Sequence, residues 1–141
     1  MMITPEALSL HLKIIGVLFI GLSLIHLIFP KYFNWEEELS RLSLINKQMM
    51  VVHTFFIAFV VFLMGLLGLC FNEELVQTKL GKFICLGLGV FWSVRLLTQF
   101  FVYSSELWKG KTFETVVHVV FSCFWLYFSA VFWAVYCCEV Y

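Results

Sequence analysis

The sequence predicts an all-α integral membrane protein, folded as an antiparallel bundle of four transmembrane helices. Three observations support this prediction: four long apolar stretches, an excess of hydrophobic residues and a shortage of charged ones. Of the 141 residues, 62% are hydrophobic and 13% are charged, whereas soluble domains average roughly 45–50% and 25%. A soluble fold of this length would have too little polar surface to cover such a core.

The four stretches cover residues 8–29, 49–71, 80–103 and 113–138. Each reaches the length of about 20 residues that a helix needs to cross a bilayer. None alternates between apolar and polar residues as a membrane-spanning strand does. Helices satisfy their own backbone hydrogen bonds in lipid, so continuous stretches of this length favour them. We predict a single domain over residues 1–141.

The first stretch lacks the small-residue cleavage site of a signal peptide, so we expect it to be retained. Pro30 is expected to end this helix, because the residue before a proline avoids helical geometry. In the loop that follows, Asn34 is a favourable N-cap before three glutamates. Apolar side chains then recur at helical spacing, at Trp35, Leu39, Leu42 and Ile45. Either a short interfacial helix or an extension of the second helix explains that spacing.

The later loops carry similar signals. Asn72 precedes two glutamates and is the predicted cap in the second loop, and Thr112 is the predicted cap of the fourth helix. Small residues on the first three helices suit close helix packing. They are Gly16, Gly21, Gly65, Gly68, Gly87 and Gly89.

Basic residues predict the orientation. Four crossings place the first and third loops on one side, and that side carries five basic residues, Lys31, Arg41, Lys47, Lys109 and Lys111. The other side carries three, Lys13, Lys79 and Lys82. Cytoplasmic loops are enriched in basic residues. We therefore expect the first and third loops to be cytoplasmic, in a multi-pass protein of a bacterial inner membrane.

Polar side chains within the apolar stretches form a set that we call the polar layer: His26, His53, Arg95, Gln99, Glu114 and His118. His26 lies four residues before Pro30, His53 four residues after Met49, and His118 five residues after Phe113. A helix rises about 1.5 Å per residue, so the histidines are predicted at one depth, near the first and third loops. Ionisable groups at such a depth are costly and usually functional.

Helical spacing sharpens this prediction. Arg95, Gln99 and Tyr103 follow one another at four-residue intervals and are expected to share a face. Glu114, His118 and Ser122 do the same on the fourth helix. We expect both faces to turn inward and to form a polar pocket between the helices.

Two cofactors fit the polar layer. Two of the three histidines could hold a haem b axially, with Arg95 pairing with a propionate and Gln99 as a further contact. Alternatively, His26, His53, His118 and Glu114 could bind a non-haem transition metal such as iron, copper or zinc. The sequence thus favours a small redox or metal-dependent membrane protein, and whether it is an enzyme stays open.

The alternative is a non-catalytic membrane protein without a cofactor. It could be a subunit of a membrane complex, a homo-oligomer, or a protein that binds lipid, a quinone or another hydrophobic small molecule. The polar layer would then only hold helices together, at about 0.6 kcal/mol per interhelical hydrogen bond. The net charge is zero, so nucleic acid is not expected as a partner. The absence of Asp argues against a Ser-His-Asp hydrolase.

Overall fold

Long apolar helices make up most of the chain. The computed structural model describes residues 4–138, which form seven α-helices and two 3₁₀ turns and contain no strand. Four helices are long: α1 Pro5–His26, α4 Leu44–Cys70, α6 Lys79–Phe101 and α7 Thr112–Cys137. Each is long and apolar enough to cross a membrane. The prediction of an all-helical chain with four long apolar helices is confirmed, and these helices indicate a membrane protein.

Short elements connect the long helices. They are α2 Phe29–Tyr32, α3 Trp35–Glu38 and α5 Asn72–Gln77, with 3₁₀ turns at Leu39–Arg41 and Ser105–Leu107. The predicted interfacial helix in the first loop is therefore interrupted. Leu42 lies between the first 3₁₀ turn and α4, and only Ile45 of the four spaced apolar residues belongs to α4. Neither a single interfacial helix nor an extension of the second long helix describes this loop in full.

The first long helix ends three residues earlier than predicted. It stops at His26, and Pro30 lies in the first turn of α2 instead of at the end of α1. Proline is tolerated there, because first-turn amide groups have no partner within their own helix.

The predicted caps differ in detail. Asn34 occupies the N-cap position of α3. Its side chain donates to the Glu37 carboxylate (2.8 Å) instead of accepting a hydrogen bond from a backbone N–H group of the helix. Its φ of 47° lies in the left-handed region, which asparagine tolerates better than most residues. Asn72 and Thr112 are not caps but the first residues of α5 and α7. The Asn72 amide instead donates to the Leu69 carbonyl (2.9 Å) at the end of α4.

The described chain divides into two units. Residues 12–72 form one, here the α1–α4 unit, in which glycines bring the two long helices together. A Cβ atom on Gly16 would lie 2.9 Å from the Gly65 carbonyl oxygen, and one on Gly68 would lie 2.9 Å from that of Leu12. The predicted role in close packing is thus confirmed for these three glycines. Gly21 instead borders open space.

Residues 4–11 and 73–138 form the second unit, here the α6–α7 unit. Lys82, in the first turn of α6, donates to the carbonyl of Cys138 after the end of α7. In the core, the rings of Trp92 and Trp125 stack at 5.0 Å, and Phe128 meets Trp92 edge-on at 5.2 Å. Such aromatic pairs contribute about 0.5–1.5 kcal/mol beyond the area that they bury.

Candidate functional site

The polar layer is divided between the two units. His26 and His53 belong to the α1–α4 unit, and the other four members belong to the α6–α7 unit. His26 Nδ1 lies 2.8 Å from the Leu22 carbonyl oxygen. A carbonyl only accepts, so Nδ1 carries a proton, and in the neutral imidazole Nε2 has the lone pair. His53 is exposed on α4.

The observed helix ends bear on the predicted common depth of the three histidines. His26 is the last residue of α1, whereas His53 lies nine residues after the start of α4 and His118 six residues after the start of α7. The similar offsets seen in the apolar stretches are not found at the helix ends. A common depth of the three histidines stays a prediction.

Three predicted residues join in one hydrogen-bonded group across α6 and α7, the Arg95–Gln99–His118 network. Arg95 Nη1 donates to Gln99 Oε1 (3.1 Å), and Gln99 Nε2 lies 2.8 Å from His118 Nδ1. A guanidinium only donates, so the amide oxygen must face Arg95 and the amide nitrogen must face His118. His118 Nδ1 therefore accepts, and in the neutral imidazole the proton lies on Nε2.

Aromatic rings hold the His118 imidazole in place. Trp108 stacks on it with ring centroids 3.9 Å apart and planes inclined by 14°, and Phe100 meets it edge-on at 5.8 Å. The Ser122 hydroxyl donates to the His118 carbonyl (2.7 Å). The imidazole is thus fixed by two rings and by its hydrogen bond to Gln99.

Arg95 is half-buried and lies against aromatic rings as well. Its Cζ atom is 4.9 Å from the Trp125 ring centroid and 5.6 Å from that of Tyr103. The predicted common face is therefore confirmed for Arg95 and Gln99. Tyr103 contacts Arg95 from two residues beyond the end of α6. An arginine at the centre of a membrane helix costs roughly 2.5–3.5 kcal/mol on insertion scales. Cation–π contacts of about 0.5–2 kcal/mol offset part of that cost.

Glu114 lies apart from the network. It is exposed in the first turn of α7, where an acid interacts favourably with the helix dipole. Within residues 4–138, no three His, Cys, Asp or Glu side chains are close enough together to hold a metal ion. The haem and metal sites remain predictions.

A groove of about 430 Å³ runs along α6 and α7 beside His118. Its walls are apolar apart from His118 and Ser122, and the lining residues are Leu96, Phe100, His118, Val119, Ser122, Cys123 and Leu126. Val119 and Leu126 are 52% and 59% exposed, so the groove opens to the surroundings. The surface that lines the groove is almost entirely apolar, although His118 and Ser122 are among the lining residues. The Ser122 hydroxyl donates to the backbone.

Comparison of the chain with protein-family models, curated proteins and solved structures finds no match. The groove and the Arg95–Gln99–His118 network beside it are therefore the features that indicate a function.

Two tryptophans complete the site without having been singled out by sequence. Trp125 lies seven residues after His118, hence on the same helical face, and that spacing was the available signal. Trp108 lies in the loop before α7, and no local pattern predicts its stacking on His118. It reaches that position through a turn in which Gly110 has a φ of 80°, a conformation that glycine adopts without strain.

Sequence reasoning also missed the contact of His11. Its Nδ1 lies 2.8 Å from the Tyr127 hydroxyl, and the two rings meet edge-on at 5.9 Å. Residues 4–11 of α1 and the middle of α7 are therefore joined by a polar contact inside the α6–α7 unit.

Proposed function

We propose that this chain is a small multi-pass membrane protein that binds a hydrophobic molecule with a hydrogen-bond-accepting head, such as a quinone. The ligand would occupy the groove along α6 and α7. The observation that carries the proposal is an open, almost wholly apolar groove whose lining residues include His118. Small-molecule sites typically have volumes of about 300–1,000 Å³, apolar walls and a few fixed polar groups.

The tautomer of His118 determines which hydrogen-bonding group the ligand head must carry. With Nδ1 accepting from Gln99, the Nε2–H group is the donor left for a ligand. A ketone, quinone or hydroxyl oxygen accepts such a bond, whereas an ammonium group only donates and finds no acceptor there. Trp108 restricts rotation of the ring, so the donor is oriented before the ligand arrives.

The membrane arrangement belongs to the same proposal. The four long helices would form an antiparallel bundle in a bacterial inner membrane, with the first and third loops cytoplasmic. His118 lies in the second turn of α7, close to the third loop, so the ligand head would lie toward the cytoplasmic face. Assembly as a homo-oligomer or as a subunit of a larger complex is compatible with this function.

The test is ligand binding by the purified full-length chain in detergent. Titration with decylubiquinone should quench tryptophan fluorescence saturably, because Trp108 stacks on the imidazole that borders the groove. His118→Leu should weaken binding about tenfold, the equivalent of roughly 1.4 kcal/mol. His53→Leu removes an exposed histidine outside the network and serves as the matched control.

Two results would overturn the proposal. One is quenching that rises linearly without saturation, as simple partitioning into detergent would give. The other is equal affinity for decylbenzene, which has the same apolar tail but no carbonyl oxygen.

A cofactor held by the histidines is the second candidate, and His26 is the observation in its favour. Its Nδ1–H donates to a backbone carbonyl, an arrangement that commonly orients metal-ligating histidines and leaves Nε2 to the metal. Haem b held by two of the three histidines, or a non-haem metal bound by His26, His53, His118 and Glu114, would make the chain a redox or metal-dependent membrane protein.

A further inference from the structure

We infer that Arg95 binds a phosphate group, either the headgroup of a membrane phospholipid or a free phosphate ion. Arg95 lies six residues before the end of α6, within a helix long and apolar enough to span a membrane. This inference needs no occupant in the groove beside His118, so it stands or falls independently of the proposed function.

The hydrogen bonds of Arg95 leave its charge uncompensated. Both start from Nη1 and end on uncharged oxygens, Thr98 Oγ1 (3.3 Å) and Gln99 Oε1 (3.1 Å). Within residues 4–138, no carboxylate oxygen lies within 4.0 Å of the guanidinium. The Nε and Nη2 groups therefore keep N–H donors for an acceptor from outside the described chain.

The surroundings of the guanidinium hold it in place and include a buried hydrogen-bond donor that has no acceptor in the described part of the chain. The rings of Trp125 and Tyr103 lie within 5.6 Å of its Cζ atom. Trp125 is 4% exposed, and its indole N–H has no acceptor in the described part of the chain. A group with several acceptor oxygens and a negative charge is the chemical complement of this cluster.

Phosphate fits these donors better than an isolated carbonyl or hydroxyl does. A guanidinium binds phosphate through two parallel N–H···O bonds. The loop after α6 also carries Lys109 and Lys111, both exposed. Basic residues next to a transmembrane helix attract anionic lipid headgroups. Arg95 would thus receive a phosphate at the end of the helix that this loop adjoins.

The test is lipid retention by the full-length chain, measured by native mass spectrometry in detergent. The probes are phosphatidylglycerol and diacylglycerol with identical acyl chains, so that only the phosphate headgroup differs. Wild-type protein should retain phosphatidylglycerol about tenfold more strongly. Equal retention of the two lipids, together with no detectable binding of inorganic phosphate, would overturn the inference without any variant, and hence even if a substitution at Arg95 prevented folding.

Three variants locate the binding. Arg95→Gln should reduce retention of phosphatidylglycerol to the level of diacylglycerol, and Arg95→Lys should restore part of it, because lysine keeps the charge but not the bidentate geometry. Lys109→Gln removes one charge from the exposed loop and should change retention less than about twofold. Unchanged retention in Arg95→Gln, or an equal loss in Lys109→Gln, would contradict a site at Arg95.

Inorganic phosphate distinguishes the two sources. If a phospholipid is the natural occupant, inorganic phosphate should not displace phosphatidylglycerol. Displacement that requires Arg95 would assign the same phosphate site to the free ion.

Discussion

Gln99 and His118 face each other across α6 and α7, with the Gln99 amide nitrogen 2.8 Å from His118 Nδ1. Gln99 is 8% exposed, and on its other side it accepts from Arg95. One buried amide therefore connects Arg95 of α6 to the imidazole of α7. Its orientation decides which nitrogen of that imidazole can donate.

Replacing Gln99 tests whether its amide positions the His118 imidazole. Gln99→Leu leaves His118 Nδ1 without its donor and frees the imidazole to change tautomer, so decylubiquinone affinity should fall about tenfold. A buried group left unsatisfied costs about 1–3 kcal/mol, so the thermal midpoint should also fall. Gln77→Leu, at the exposed end of α5, is the matched control. Unchanged ligand affinity in Gln99→Leu would argue against a positioning role for the amide.

The glycine contact of the α1–α4 unit gives a stability prediction. In Gly16→Ala, the new methyl group would lie 2.8 Å from Leu69 Cγ and 2.9 Å from the Gly65 carbonyl oxygen. Overpacking of this kind costs about 1–3 kcal/mol. Gly21→Ala on the same helix meets open space and should stabilise the helix by up to about 1 kcal/mol. Thermal unfolding in detergent measures the stability of both variants. Equal midpoints would show that the close contact at Gly16 does not contribute to stability.

His26 and His118 differ in tautomer, so replacing each of them should affect cofactor binding differently. If a haem or a metal is present, His26→Ala should abolish the Soret band or the stoichiometric metal, since His26 Nε2 has a free lone pair. His118→Ala should then have the smaller effect, since Gln99 occupies Nδ1 and the proton occupies Nε2. A visible spectrum and elemental analysis provide the measurement. A folded preparation with neither signal would eliminate the cofactor hypothesis.

Loop orientation is testable by cysteine labelling. In a variant with the five native cysteines replaced, Lys31→Cys and Lys109→Cys should react with an impermeant maleimide only from the cytoplasmic side. Gln77→Cys should react only from the opposite side. Labelling of Lys31→Cys and Lys109→Cys from different sides would exclude four crossings.

Helical content and shared helix faces are local properties, and the sequence predicted them well. The length of each apolar stretch determines whether a helix can span a bilayer. The common face of Arg95 and Gln99 follows from the helical period alone, and their hydrogen bond agrees with it. Tyr103 was predicted on the same face but lies beyond the end of α6. Helix ends were less predictable. Pro30 suits the first turn of a new helix as well as the end of an old one.

The sequence alone therefore determined that this chain forms four long apolar helices and which polar residues share a helical face. Only the tertiary structure decided that Gln99 meets His118, that Trp108 stacks on the same imidazole and that Trp125 lies beneath Arg95. These contacts depend on the rotation and axial shift of α6 against α7 and on the turn at Gly110. Residue spacing along one helix carries no information about either, because apolar faces of similar composition can pack in several registers.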